Sequence, residues 1–161
     1  MDTPDQQHLI TPGHFQLAEL NTLQSYENKV LADVWYYFRI SRNQEGNLSR
    51  FLYFLELIFD SAASLNFSSG EDTDSLEIVN AETVVQTALD LQAAHGETSI
   101  QRAHAGAYPL WESLIGTPLE GARLSKDENG LYFNDAVLLD FGPRRVLVSL
   151  SEREGLALGK M

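Results

Sequence analysis

Between Phe51 and Phe59 every residue is apolar except Glu56, and this stretch governs what the rest of the chain can build. It is far shorter than the ~20 residues that cross a bilayer, so it belongs in a protein core. From Leu48 onward the apolar positions 51, 52, 55, 58, 59, 62 and 63 fall on one helical stripe, and Tyr53, Phe54 and Leu57 add apolar surface on other sides. Asn47 stands where an N-cap is wanted. The spacing therefore predicts a helix that is greasy nearly all round and sits at the centre of the fold.

Around it the sequence reads as further helices. One opens at Thr11, with Pro12 at the first helical position, and carries Phe15, Leu17, Leu20 and Leu23. Val30 to Ile40 is ambiguous. Val34, Trp35, Tyr36, Tyr37 and Phe38 have strand propensity, but the preceding Asn28, Lys29, Leu31 and Ala32 favour a continuing helix, and the helix is the preferred reading. Asn80 caps another, with Glu82 in its first turn, Val84, Val85, Ala88, Leu89 and Leu91 as its buried face, and Gly96 as its stop. Thr98 and Gln101 have capping-box spacing for a last helix toward Ile115, interrupted by Pro109. Ser68 to Ser75 is polar and turn-forming and reads as a mobile surface loop.

The character changes after Gly116. Asn129-Gly130 between apolar segments is a strong hairpin signal. Ala136–Phe141, Val146–Leu150 and Leu156–Leu158 then read as strands separated by turns. The expected fold is α+β: about four N-terminal helices over 11–116, packed on a C-terminal antiparallel β-meander of three to four strands over 121–158, in a single domain spanning 1–161.

Charge narrows the function. The net charge is −12, and all of the excess lies in residues 1–120, which hold five basic and 17 acidic side chains; residues 121–161 hold six of each. Such a field repels phosphates and anionic lipid headgroups and attracts a basic partner. Absence of cysteine rules out disulfides, thiolate catalysis and cysteine-based metal sites. The opening Met1-Asp2-Thr3-Pro4 lacks a basic and an apolar signal region, and the expected location is the cytoplasm.

The four histidines, His8, His14, His95 and His104, show no His-x3-His or His-Glu-x2-His spacing, so no metal and no cofactor is expected. No nucleophile elbow and no phosphate-cradling glycine motif occurs. The densest polar group is His95, Glu97, Arg102 and His104. In an enzymatic alternative Glu97, Arg102 and His104 would supply acid–base chemistry on an anionic substrate, although each residue also has a plain local explanation in a helix cap or a solvated face. Arg144-Arg145 reads most simply as a solvated turn.

The favoured expectation is a non-enzymatic module that neutralises or chaperones a basic protein, in the manner of a toxin-immunity protein or antitoxin. Glu71, Asp72, Asp74 and Glu77 would supply the acidic face, and Trp35, Tyr36 and Tyr37 the aromatic anchors. Neither nucleic acid nor a membrane is expected as partner. The aromatics and an open strand edge leave room for a homodimer, and a ligand cavity under residues 48–64 is a third option.

Overall fold

β-structure begins where the sequence is most aromatic. A computed structural model describes residues 13–42, 45–70, 73–94 and 98–161. Within them Leu31–Arg42 forms β1 and Leu48–Phe59 forms β2, two twelve-residue strands paired antiparallel along their whole length. Ser64–Ser68 (β3) and Glu77–Val79 (β4) continue the sheet beyond β2, and Ser99–His104 (β5) adds to the other edge of β1. Gly121–Arg123 (β6), Ala136–Asp140 (β7), Arg145–Ser151 (β8) and Gly155–Lys160 (β9) follow as antiparallel neighbours. Helices among the described residues are few: Leu17–Gln24 (α1), Ala81–Ala94 (α2) and the single turn Pro109–Glu112 (α3). No helix among the described residues is long and apolar enough to cross a membrane.

The nine strands belong to one sheet, and it curls. On one side β9 meets β2 through a parallel pairing of Gly155 with Leu52, where the Leu52 N–H donates to the Glu154 carbonyl at 2.8 Å. On the other, residues 116–119, the lead-in to β6, return to the start of β1. Leu31 N–H donates to Thr117 O at 2.9 Å, Leu119 N–H to Lys29 O at 2.9 Å and Asn28 N–H to Leu119 O at 2.6 Å. The main core fills the inside of this curl, with Leu31, Leu55, Leu57, Phe59, Leu65, Phe67, Trp111, Leu119, Leu139 and Val148 all essentially inaccessible. A second, smaller core of Phe51, Tyr53, Phe54, Val84 and Leu91 lies on the opposite face, where α2 packs.

The expected helical N-terminal part is therefore overturned. Residues 31–42 and 48–59 are strands, as is most of the segment from 98 to 104, and the sheet runs through the described residues from 31 to 160. The physical reason lies in two β-bulges. Between Tyr37 and Phe38 the pairing partner steps from Phe54 to Leu52, so Tyr53 is an extra residue. Leu52 and Leu55 thereby point into the same core although they are three residues apart, which mimics helical spacing. Ala32 is skipped in the same way, so Leu31 and Val34 share a face. Because β2 is buried on both sides, its period-2 alternation is also masked by apolar residues on each face.

Candidate functional site

The alternation of β1 divides its aromatic run. Val34, Tyr36 and Phe38 enter the main core, and Asp33, Trp35, Tyr37 and Arg39 take the other face. β5 lies beside this second row, with Trp35 opposite His104 and Tyr37 opposite Arg102. The pairing stacks side chains across the strands. The Trp35 ring lies 4.7 Å from the His104 imidazole, and the Arg102 guanidinium sits 3.8 Å from the centre of the Trp35 ring. Arg102 Nε donates to Tyr37 Oη at 2.9 Å, Arg102 Nη2 donates to Glu56 Oε1 at 3.0 Å, and Tyr37 Oη–H donates to the same Glu56 oxygen at 3.2 Å.

Burial of Glu56, the one acid in the apolar run, is explained by this network. Desolvation works against the Arg102 charge, but the hydrogen bonds and attraction of Glu56 and Tyr37 outweigh it and hold the guanidinium above its ordinary range. Burial, reinforced by the neighbouring Glu56 carboxylate, pushes the Tyr37 hydroxyl up. In the same row Glu56 faces Asn66, whose side chain is buried and whose Oδ1 has no partner among the described residues.

One step along the face, His104 Nε2 lies 2.6 Å from Asp33 Oδ1, and the same oxygen accepts the Val34 N–H at 2.9 Å. Gly106 closes over this pair. A Cβ there would overlap the Asp33 carboxylate and press on the His104 ring, so the pair needs glycine at this position. Asp33 and His104 border a shallow cleft of about 330 Å³, wide open to solvent, whose other lining residues include Ala32, Ala107, Glu112 and Ile115.

The structure thus joins what the sequence held apart. Arg102 and His104, named for an enzyme, and Trp35 and Tyr37, named as partner anchors, share one surface. Tyr36 is not on it. It is buried in the core, where its hydroxyl accepts the Trp111 Nε1–H at 2.7 Å. Glu97 and His95, like Glu71 and Asp72, lie outside the described residues. Asp74 and Glu77 sit across the sheet near β4 and form an acidic corner with Glu19. There Glu19 Oε2 accepts the Ile78 N–H at 2.8 Å, blocking the outer edge of β4. Desolvation, with repulsion from Glu19 and Asp74, holds the Glu77 carboxyl above its ordinary range.

His14 is elsewhere, stacked on Phe133 and 2.9 Å from Asp127 Oδ2. The Leu131 N–H, with help from the Asn129 N–H and His14, holds Asp127 below the usual carboxylate range. Arg144 of the turn pair donates to Ser113 Oγ at 2.6 Å. Among the described residues no group of three or more metal-binding side chains converges.

Sequence reasoning missed Asp33, Glu56, Gly106 and Glu112. Asp33, Trp35 and Tyr37 occur at i, i+2 and i+4, and Arg102 and His104 at i and i+2, which is a shared face only if both segments are strands. Comparison with protein-family models, with curated proteins and with solved structures finds no match to this chain.

Proposed function

We propose that the chain is a non-catalytic binding module that captures a basic protein, in the manner of an immunity protein or antitoxin. The observation that carries this reading is the fate of the cations in the acidic part of the chain. All five are engaged within the fold: Lys29 over Tyr26, Arg39 over Phe51, Arg50 over Phe38, Arg102 over Trp35 and on Glu56, and Arg42 on the Gly46 carbonyl. Arg42, Arg50 and Arg102 remain exposed, but carboxylates outnumber cations in this region by 17 to five, and a basic surface is the complement that such a net field draws in and orients.

The test is capture from a host extract by the wild-type chain and by a D74K/E77K double variant, washed at about 50 and about 500 mM salt, which straddle weak and strong screening. The reading expects a basic protein held by the wild type at low salt, released at high salt and lost from the variant. Equal capture by both chains, or none by either, removes it.

A second reading rests on the 2.6 Å Asp33–His104 contact, in which the carboxylate orients an imidazole for general-base work. It ranks below binding because the cleft lining supplies neither a hydroxyl nor a thiol as nucleophile.

A further inference from the structure

We infer that the cleft beside Gly106 receives one arginine side chain of the basic partner. The inference rests on the partner reading above and names what that partner must present. The cleft has two kinds of wall. Ala32, Ala107 and Ile115 offer an apolar lining of the sort that long basic side chains lay their methylene stems against. Asp33, His104 and Glu112 supply the polar part, with two carboxylates and no Lys or Arg among the lining residues.

Each polar group has unspent capacity. Among the described residues both hydrogen bonds that Asp33 accepts fall on Oδ1, which leaves Oδ2 for an incoming donor. Glu112 is exposed on α3. The His104 ring is braced by Trp35 and is about half exposed, with 48 % of its side chain accessible, so it presents a flat π surface. The chain's own guanidinium on the same strand, Arg102, is turned to Trp35, Tyr37 and Glu56 and does not line the cleft.

Guanidinium fits this combination better than ammonium. Its donors fan out in one plane and can serve two carboxylates at once, and that plane stacks on an aromatic ring. Gly106 belongs to the same design, since any side chain there would drive the Asp33 carboxylate out of place.

The experiment is an NMR titration of the ¹⁵N-labelled full chain with Nα-acetyl-arginine N-methylamide, and with the citrulline derivative as its neutral isostere. The expected result is saturable shifts confined to 32–33, 104–107 and 112–115. Binding of the citrulline compound should be at least about tenfold weaker, and E112Q should weaken the arginine compound by about fivefold, because a charge-assisted pair is lost in each case. Glu112 is exposed, so E112Q tests the site without endangering the fold. Equal binding of citrulline, shifts elsewhere, indifference to E112Q, or no saturation by about 50 mM would overturn the pocket. If a basic protein is still captured equally by wild type and E112Q, the arginine site fails and the partner reading survives. Cleft-confined arginine shifts with no basic protein captured leave the site standing and remove the partner.

Discussion

Single side chains in this molecule are held in place by specific polar contacts, and their removal has calculable consequences. Trp111 is inaccessible, and its indole N–H depends on the Tyr36 hydroxyl. Y36F leaves that donor buried without a partner, a loss of about 1–3 kcal/mol, to be read from urea unfolding. Y37F removes a hydroxyl that Arg102 and Glu56 share nearer the surface and should cost less, about 0.5–1.5 kcal/mol.

Glu77 behaves in the opposite sense. Desolvation, together with Glu19 and Asp74, raises its carboxyl above the ordinary range, so the folded state takes up its proton more readily than the unfolded chain. Its favourable contribution is complete below the unfolded pKa and is lost as pH rises through the raised folded value. E77Q mimics the protonated form. It should raise Tm at neutral pH and lose that advantage in acid; a scan of Tm against pH for both chains checks the crossover.

Strands meet at one joint that a single atom can block. Gly155 has φ +84° and lies against the Leu52 carbonyl, where a Cβ would overlap backbone. G155A therefore combines left-handed strain of about 1–2 kcal/mol with overpacking of about 1–3 kcal/mol. Gly130 has φ +85° and open space around it, so G130A should cost the strain alone. Paired denaturant curves separate the two outcomes, and equal losses would mean that the β2–β9 contact does not support the sheet.

The same joint explains what could be read from the sequence. The strands at 136–140, 145–151 and 155–160 lie where apolar segments between turns point to them, and the helix at 81–94 starts where Asn80 caps it, although of its expected buried face Val84 and Leu91 are buried while Val85 and Leu89 are exposed. The strands at 136–140 and 145–151 keep a local period of two. The long hairpin does not. Its bulges at Ala32 and Tyr53 shift the phase, and burial on both faces removes the polar residues that would mark an alternation. Once 31–42 is mistaken for a helix, the Asp33–Trp35–Tyr37 face cannot be seen, and Arg102 and His104 lose their partners. The aromatic composition of 34–38 was the available signal, because β-branched and aromatic residues suit a pleated, half-buried surface.

At the scale of the whole molecule, the charge and the fold divide the chain at different places. The excess negative charge stops near residue 120, whereas the main core draws on both sides of that point, from Leu31, Leu55 and Phe67 to Val137, Leu139 and Val148. The curl is fastened twice, once across that boundary and once just before it. Leu52 is bonded to Glu154 on one side, and 28–31 to 116–119 on the other. A fold with a helical half resting on a meander could lose one half first. A sheet whose two longest strands sit between the flanking strands and the meander has no such seam. The expected outcome is one cooperative transition. Native-state hydrogen exchange should give Leu55 and Leu57 of β2 the same opening free energy as Val146 and Val148 of β8, within about 0.5 kcal/mol, with both falling together in denaturant. A salt increase should raise the common value by screening the repulsion within residues 1–120. If β7–β9 instead exchange through a cheaper opening than β1–β2, the joint at Gly155 is a hinge between two separately stable parts.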